Sequence, residues 1–527
     1  MLTATRPHQN AAQVPGRSLG DVVRAAALAA PSRIAVVDGG TRLTWSALVD
    51  RATTVAGALT ELGVRRGDAV VLQLPNWWET VVVTWGVWLA GGVVVPVVPI
   101  YRARELGFIV DQVDPAAIVA AGEHRGHRHA DELRALMRET GRPTPVVSVR
   151  ATDSDPLRLE TLRSAPVQPE RLAPDDVALV LYTSGTTSAP KGVLHTHRTL
   201  LAESASMTRA CGLTAEDRVF MPSPLSHVTG LSYAIVLPAD LRASAVLLDR
   251  WSADDAVAVV ERESCTFAVS ATPFLRGLAE VYAARGTPAS LRIFVCGGAD
   301  IPPELVRRAR AVMGTAVVRT YGSTELPTVA MADPFGDVDA AADGEGAAIG
   351  DNQMTVRSDE DGTEELLVRG PELFVGYVDS RLNADAFTAD GWFRTGDTAT
   401  ISADGVLRIA GRIKDIINRG GEKYSAAEVE WALLEHPHVA EVAVVRYPDE
   451  ALGERACAFV VPTPGERPTL ATLRDHLVAS GYAVQKAPER LELVDRLPRT
   501  PSGKIQKFRL EEGLRLRPVR DEGESPT

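Results

Sequence analysis

A short segment rich in hydroxyl residues and glycine, closed by a lysine, carries the most recognisable chemistry in this sequence. It reads Tyr-Thr-Ser-Gly-Thr-Thr-Ser-Ala-Pro-Lys over residues 182–191 and follows an apolar run at 177–181. Hydroxyls and backbone N–H groups bind phosphate oxygens, Gly185 lets the backbone approach closely, and Lys191 adds positive charge. The sequence therefore predicts a strand that leads into a phosphate-binding loop.

This loop differs from the common nucleotide-binding loop, which ends in Gly-Lys-Ser/Thr. Here Pro190 precedes Lys191 and Gly192 follows it, so the hydroxyl that usually binds magnesium is missing. A metal would have to be held from elsewhere in the chain. The alternative, a plain Ser/Thr/Gly surface loop, is disfavoured by the motifs that follow.

Bulk composition narrows the class of protein. A chain of 527 residues is too long for one core, so at least two domains are expected. A net charge of −12 argues against non-specific nucleic-acid binding. The four cysteines are scattered without metal-ligand spacing and indicate buried or free thiols in a reducing cytosol. The first ten residues lack a signal pattern, so a cytoplasmic location is expected.

One apolar segment, residues 81–100, is long enough to suggest a membrane span. Gly91, Gly92, Pro96 and Pro99 interrupt it, however. A helix that ends near Gly91, followed by a buried strand at 93–98, fits this pattern better. No membrane span is therefore predicted.

Short apolar runs alternate with helical patterns through the first two thirds of the chain. Fully apolar strands separated by helices predict parallel sheets covered on both faces, and Pro302-Pro303 opens a helix. The predicted strands are residues 69–74, 93–98, 117–121, 177–181, 245–248, 266–269, 293–295 and 316–319.

The pattern changes after about residue 345. Short strands at 365–369, 398–401 and 406–409, with turns such as Asp404-Gly405, predict a small antiparallel β-barrel. From about residue 413, a capping box formed by Ser425 and Glu428 precedes an amphipathic helix, and residues 442–445 and 456–461 predict paired strands. The predicted fold is α/β. A large N-terminal domain (1–412, barrel subdomain about 345–410) of parallel sheets wrapped by helices precedes a smaller α+β domain (413–527).

Six further motifs follow the loop in a fixed order, and together they identify a family. They lie at residues 222–230 (PSPLSHVTG), 296–300 (CGGAD), 321–325 (YGSTE), 392–397 (WFRTGD), 411–415 (GRIKD) and 501–504 (PSGK). With this set the chain resembles the adenylate-forming superfamily of acyl-CoA synthetases, carrier-protein adenylation domains and luciferase-like enzymes. Within it the chain resembles the acid–CoA ligases.

The resemblance implies a site for ATP, Mg²⁺ and a carboxylic acid. Its catalytic residues are Lys504, Thr324, Glu325 and His227, with Glu325 as the Mg²⁺ ligand. Residues expected to bind ATP or AMP are Thr183, Ser184, Gly185, Thr186, Thr187, Lys191, Gly298, Ala299, Asp300, Tyr321, Gly322, Ser323, Asp397, Ile409 and Arg412. The implied acyl pocket comprises His227, Val228, Gly230, Leu231, Phe274, Gly297, Gly322, Leu326 and Pro327.

The resemblance also implies that the small domain alternates between two poses about Lys414. In one pose Lys504 reaches the nucleotide and stabilises developing negative charge. In the other, a segment with Gly420, Gly421 and Lys423 lines a tunnel for the thiol of the acceptor, where a side chain at Gly421 would block approach.

The nature of the acid follows in part from the pocket. Family members that activate α-amino acids carry an aspartate where this chain has Val228, so a free α-amino acid is disfavoured. The remaining wall is small and apolar, which suits an aromatic, alicyclic or short to medium acyl group. Ser188, Asp300 and Ser323 depart from the family pattern. Ser323 would add polarity beside the acyl carbonyl and counts against a long-chain fatty acid.

The leading hypothesis is transfer of the acyl group to CoA. A carrier-protein phosphopantetheine or an amine is the alternative acceptor, because the first half-reaction is the same for all three. A catalytically inactive binding protein is disfavoured, since Lys191, Glu325, Asp397 and Lys504 are all retained. The oligomeric state is left open, with a homodimer among the options.

Overall fold

The computed structural model describes residues 4, 16–152, 154–164, 172–183, 190–298, 301–358, 364–419, 422–449, 452–499 and 505–515. Its α-helices are α1 (Leu19–Ala29), α2 (Trp45–Glu61), α3 (Trp78–Leu89), α4 (Ala103–Val113), α5 (His129–Glu139), α6 (His197–Cys211), α7 (Val228–Leu231), α8 (Leu237–Leu241), α9 (Ala253–Arg262), α10 (Thr272–Arg285), α11 (Pro303–Met313), α12 (Val338–Asp343), α13 (Asn383–Ala386), α14 (Ala426–Leu434), α15 (Leu470–Ala479) and α16 (Lys507–Arg515).

The strands are β1 (Ile34–Asp38), β2 (Thr41–Thr44), β3 (Ala69–Gln73), β4 (Val93–Pro96), β5 (Ala117–Ala121), β6 (Val146–Val149), β7 (Val177–Thr183), β8 (Lys191–Thr196), β9 (Arg218–Met221), β10 (Ser244–Leu247), β11 (Phe267–Ser270), β12 (Ile293–Cys296), β13 (Ala316–Tyr321), β14 (Ala330–Met331), β15 (Ala347–Ala348), β16 (Gln353–Ser358), β17 (Glu364–Arg369), β18 (Phe393–Arg394), β19 (Asp397–Ile401), β20 (Leu407–Arg412), β21 (Ile416–Arg419), β22 (Glu422–Ser425), β23 (Val439–Asp449), β24 (Gly453–Pro462) and β25 (Arg490–Leu493).

Two large, mainly parallel sheets form the N-terminal part of the chain. One has nine strands in the order β15-β14-β13-β12-β11-β9-β10-β1-β2, and the other has six in the order β6-β5-β3-β4-β7-β8. Their central strands are buried throughout, as in β3, β5 and β12. Burial along the whole strand is the mark of a parallel sheet covered on both faces. The predicted fold class is confirmed, and each of the eight predicted strands is present with ends shifted by at most a few residues.

The apolar segment near residue 90 folds as predicted. Helix α3 ends at Leu89, Gly91 adopts a positive φ of 84°, and β4 follows within the six-stranded sheet. Among the residues that the structure describes, no helix has both the length and the apolar character that a membrane crossing needs. All four cysteines are free and buried.

The region predicted as a barrel contains two antiparallel sheets that share one core. Strands β16, β17 and β18 form the first sheet, and β19 and β20 form the second. Leu366 and Val368 of β17 pack in the same apolar cluster as Ala399 and Leu407. Within the described ranges, hydrogen bonding groups these strands into two separate sheets and does not close them into one ring.

The C-terminal region has its own five-stranded sheet and its own apolar core. Helix α14 begins after Ser425, whose Oγ accepts a hydrogen bond from the Ala427 N–H at 3.2 Å. The predicted cap is therefore present. The reciprocal half of the predicted capping box is replaced, because Glu428 accepts a hydrogen bond from Lys486 at 2.9 Å. The domain boundary at residue 412 stays a prediction.

Candidate active site

The topology of the nine-stranded sheet places three motifs at one edge. Strands β9, β11, β12 and β13 are parallel neighbours. The 222–230 motif follows β9, Gly297 and Gly298 follow β12, and Gly322 follows β13. Because parallel strands end at the same edge of a sheet, these segments meet there, where ligands bind in open α/β sheets.

Two paired strands flank the predicted phosphate-binding segment. Strands β7 and β8 are antiparallel, and Thr183 pairs with Lys191. Lys191 therefore begins a strand that the sequence analysis did not predict. Its Nζ lies 5.2 Å from the ring centroid of Tyr377, a cation–π contact. Ser184, Gly185, Thr186 and Thr187 lie outside the described residues.

Tyr377 also contacts the predicted metal ligand. Its hydroxyl donates a hydrogen bond of 2.9 Å to Oε1 of Glu325. Burial, with a further contribution from the charge of Glu325, raises the pKa of Tyr377 above its usual value. The phenol is thus a permanent donor, and it joins the carboxylate of Glu325 to the cation of Lys191 through one side chain.

The backbone around Glu325 is held from two directions. The N–H of Phe374 donates to the Glu325 carbonyl at 2.8 Å. The ring of His195, which is 0% exposed, lies with Nε2 2.7 Å from the Thr324 carbonyl oxygen. Since a carbonyl oxygen only accepts, Nε2 carries the proton. Thr324 and Glu325 are therefore fixed in place by residues distant in sequence.

The turn that carries Thr324 requires glycine at position 322, and the Ser323 side chain hydrogen-bonds to the backbone of the same turn. A Cβ on Gly322 would lie 1.8 Å from the carbonyl oxygen of Pro327. The Oγ of Ser323 accepts from the N–H groups of Glu325 and Leu326, at 3.2 and 3.3 Å. The expected polarity beside the acyl carbonyl is therefore directed into the turn, because this oxygen already serves its own backbone.

Asp397, the predicted ribose ligand, is 6% exposed and has two partners. Tyr321 donates its hydroxyl hydrogen to Oδ2 at 2.5 Å, and Nε of Arg412 lies 3.1 Å from Oδ1. Asp397 raises the pKa of Arg412, and burial together with Asp397 raises the pKa of Tyr321. The structure thus joins three predicted nucleotide-binding residues in one hydrogen-bonded group.

Ile409 is positioned by a buried ion pair. Its N–H donates to Oε2 of Glu345 at 3.0 Å, and Glu345 also pairs with Arg319 of β13. Both charged side chains are at most 10% exposed. The pair fastens β20, which holds Ile409 and Arg412, to the nine-stranded sheet.

The acyl-site motif is anchored by Asn76. Its Nδ2 donates to the Ser223 carbonyl at 2.8 Å, and its Oδ1 accepts from the Leu225 N–H at 2.8 Å. His227 then occupies the N-cap position of α7. A Cβ on Gly230 would lie 2.1 Å from the Pro224 carbonyl oxygen, so only glycine fits this close approach.

The predicted acyl-pocket residues other than Gly230 fall into two groups. His227, Val228, Phe274, Gly297, Gly322 and Pro327 are partly buried and follow sheet strands or open helices at this edge. Phe274 stacks edge-to-face on Trp251 at 4.7 Å. Leu231 and Leu326 are 1% and 0% exposed and pack in core clusters. The role of these two side chains in an acyl pocket stays a prediction.

Lys414 lies in a short 3-10 helix, Ile413–Asp415, between β20 and β21. Burial and the nearby charge of Arg412 lower its pKa. Next to it, Lys507 of α16 lies 2.8 Å from Glu430 and 3.8 Å from Asp415. The predicted hinge is thus connected to the C-terminal helix.

Several predicted residues fall outside the part of the chain that the structure describes. They are Ala299, Asp300, Gly420, Gly421 and Lys504, together with the side chain of Lys423. Their roles stay predictions.

The arrangement around Glu325 fits Mg²⁺ as a companion of bound phosphate. Mg²⁺ prefers one or two carboxylates, with the remaining ligands from phosphate oxygens and water. Glu325 supplies one carboxylate at the edge of the sheet. Over the described ranges no group of three His, Cys, Asp or Glu side chains forms a metal cage.

Four supporting residues were missed by the sequence analysis: Asn76, His195, Glu345 and Tyr377. The only local signal was for His195, which stands in the run His195-Thr-His197 directly after a predicted phosphate segment. The other three reach the site across long stretches of chain, so no motif marks them.

Comparison with known proteins identifies the family. The model of the AMP-binding enzyme family matches residues 23–378, and that of the AMP-binding enzyme C-terminal domain matches residues 428–504. The medium-chain fatty-acid–CoA ligase of Escherichia coli (strain K12) is 35% identical, over 96% of this chain and 92% of its own length. The salicylyl-CoA synthase / salicylate adenylyltransferase of Streptomyces sp is 34% identical, over 95% of this chain and 94% of its own.

A solved structure agrees with these relatives. ATP-bound MatB from Rhodopseudomonas palustris superposes with a TM-score of 0.85 at 27% identity, covering 94% of this chain and 99% of that one. The chain therefore belongs to the AMP-binding enzymes, the adenylate-forming superfamily. It is an AMP-forming ligase of the acyl-CoA synthetase type.

Proposed function

We propose that this protein uses ATP to convert a carboxylic acid into an acyl-AMP, with release of pyrophosphate, and then transfers the acyl group to the thiol of CoA. The observation that carries the proposal is the linked group Lys191–Tyr377–Glu325 beside the Tyr321–Asp397–Arg412 group. The first offers a cation and a metal-binding carboxylate for a triphosphate, and the second offers acceptors for ribose hydroxyls.

The first half-reaction brings two anions together. A carboxylate oxygen attacks the α-phosphorus, a P–O bond forms, and the bond to the bridging oxygen breaks so that pyrophosphate leaves with its electron pair. Lys191 would hold the β- and γ-phosphates, and Thr324 would hydrogen-bond the α-phosphate. Mg²⁺ held by Glu325 would supply further neutralisation of phosphate charge. Lys504 would stabilise the charge that develops between carboxylate and phosphate.

The second half-reaction forms the thioester. The thiol sulfur loses its proton and attacks the acyl carbon, the C–S bond forms, and AMP leaves with the oxygen of the mixed anhydride. In this proposal the small domain then changes its pose, and the segment with Gly420, Gly421 and Lys423 takes the place of Lys504 at the site. CoA is the proposed acceptor because the enzymes from E. coli and Streptomyces named above are a CoA ligase and a CoA synthase.

The proposed acid carries no free α-amino group. Val228 stands at the position from which a carboxylate would pair with an ammonium group, and an unpaired buried charge is costly. The motif around it is held by Asn76 and by a bond of 2.7 Å between Ser223 and Ser270. We therefore expect an aromatic, alicyclic or short to medium acyl acid.

A two-stage assay tests this function. A panel of carboxylic acids is screened for acid-dependent pyrophosphate release, and each active acid is then offered CoA, a phosphopantetheinylated carrier protein or an amine. Mass spectrometry of the products identifies the acceptor. Acyl-CoA formation from a non-amino acid is expected. A product that forms only with the carrier protein or the amine would overturn CoA as the acceptor. If none of the acids supports pyrophosphate release, the proposed function is wrong.

A further inference from the structure

Two glutamate side chains are in contact in the interior, behind the residues assigned so far. Glu203 on α6 and Glu372, which follows β17, are each 0% exposed. Their carboxyl groups face each other. Two adjacent buried carboxylates would repel each other strongly, so a proton must lie between them.

The hydrogen bonds around the pair indicate where a shared proton lies. Tyr233 donates its hydroxyl hydrogen to Oε1 of Glu203 at 2.5 Å, and Nδ2 of Asn352 donates to Oε2 of Glu372 at 2.7 Å. The other two oxygens, Glu203 Oε2 and Glu372 Oε1, are buried and have no hydrogen-bond donor among the described residues. With both outer oxygens accepting and both inner oxygens lacking a donor, a single proton between the inner oxygens satisfies the pair.

The surroundings contain no compensating cation among the described partners. Of the side chains that contact the pair, Tyr233 is titratable, and Thr328, Asn352 and Ser206 are neutral. Burial, and then the charge of its neighbour, raises the pKa of Glu372 well above its usual value. Burial also raises the pKa of Glu203.

The pair connects the segments that carry the motifs. Tyr233 lies in the π-helix Ser232–Val236, directly after α7 of the acyl-site motif, and its hydroxyl contacts Oγ1 of Thr328 at 2.7 Å. Thr328 stands three residues after Glu325. Glu372 stands two residues before Phe374, whose N–H binds the Glu325 carbonyl. Short π-helical turns occur frequently at functional sites.

We infer that Glu203 and Glu372 are positioning residues that share one proton, and that this bond holds the acyl-site helix and the Glu325 turn in a fixed relation. The inference rests on the proposed function only where its test measures pyrophosphate exchange. The contribution of the pair to folding is measured without any substrate.

Glutamine substitutions test the proton count. In Glu203→Gln or Glu372→Gln, the amide oxygen accepts from the outer donor and the amide N–H replaces the shared proton, so each single variant keeps every bond. In the double variant both outer positions need oxygen, and two amide nitrogens then face each other. We expect the single variants to have nearly unchanged melting temperatures. The double variant should lose at least about 3 °C more than the two single shifts added together. Additive melting shifts would overturn the inference.

The pH profile tests the positioning role. The folded wild type retains a proton that an unfolded glutamate loses at acidic pH, so its stability falls as pH rises toward the raised pKa of the pair. Above that pKa the two carboxylates repel. The single Gln variants have no such proton to lose. Their melting temperature and their acid-dependent pyrophosphate exchange should therefore persist to a pH about one unit or more higher.

A matched control separates this effect from general destabilisation. Glu79 is a buried glutamate with a cationic partner, Arg150, at 2.8 Å, and Glu79→Gln should lower the melting temperature without moving the alkaline limit. Identical alkaline limits in the wild type and both single Gln variants would overturn the positioning role. If no acid supports exchange, the proposed function fails, while the melting data still decide whether the pair shares a proton.

Discussion

Removing one hydroxyl from Tyr377 should weaken the binding of magnesium in the first half-reaction without disturbing the fold around it. In Tyr377→Phe the ring remains, so the contact with Lys191 persists, while Oε1 of Glu325 loses its donor. A hydrogen bond to a charged group contributes about 1.5–3 kcal/mol. Tyr377 is 2% exposed but Glu325 is only partly buried. We therefore take the lower end, about 1.5 kcal/mol, which corresponds to about a tenfold change.

The assay is acid-dependent pyrophosphate exchange at a series of free Mg²⁺ concentrations. We expect the Mg²⁺ concentration for half-maximal rate to rise about tenfold in Tyr377→Phe, because an unrestrained carboxylate binds the cation less well. Tyr282→Phe is the control. It removes an equivalent tyrosine–glutamate bond, 2.5 Å between the Tyr282 hydroxyl and Oε1 of Glu261, that involves neither Glu325 nor Lys191. An unchanged Mg²⁺ dependence in Tyr377→Phe, or an equal shift in the control, would refute this account of Glu325.

Three further predictions concern the acyl motif and the two half-reactions. Asn76→Ala should raise the KM for the acid but not for ATP, and lower the free energy of unfolding by about 2–4 kcal/mol, because two buried backbone groups lose their partners; urea unfolding and steady-state kinetics measure both, and equal rises in the two KM values would contradict it. Lys504→Ala should reduce pyrophosphate exchange by about 10²–10³ while ATP binding by calorimetry is nearly unchanged, and a normal exchange rate would exclude Lys504 from this role. Gly421→Leu should leave exchange intact and stop thioester formation, since a side chain would fill the thiol tunnel; an equal fall in both half-reactions would show that no tunnel passes Gly421.

The central strands of the parallel sheets were predictable because each is a short, fully apolar run. Val93–Pro96 and Ala117–Ala121 are buried at every position, and a run of this length and character is typical of a strand covered on both faces. Strand β9, by contrast, begins with the charged residue Arg218. Its place between β10 and β11 is set by pairing with those strands, which a local pattern does not show.

The motifs identified candidate ligand-binding residues but not the residues that hold them in place. Asp397 was predicted with Arg412 beside it, and in the structure Asp397 contacts both Arg412 and Tyr321. Tyr377 and Asn76 were not predicted, because their contacts cross 52 and 149 residues of chain respectively. Residues that hold a ligand-binding side chain from behind are ordinary buried polar residues in sequence, and only the fold gives them a role.

The outer edge of β8 has a practical consequence for altering this enzyme. Residues 375–378 run along that edge like an added strand, with N–H groups of Val375 and Val378 donating to Leu194 and Gly192 at 2.9 and 2.8 Å. Together with Phe374, this segment holds Glu325 in place, since Phe374 and Tyr377 both donate hydrogen bonds to Glu325. The acyl motif is instead held by Asn76. The Glu325 turn and the start of the acyl motif therefore have separate backbone anchors, and the inferred Glu203–Glu372 bond connects the two regions behind them. Libraries that vary residues around His227 can broaden the range of accepted acids, provided that residues 372–378 are left as they are.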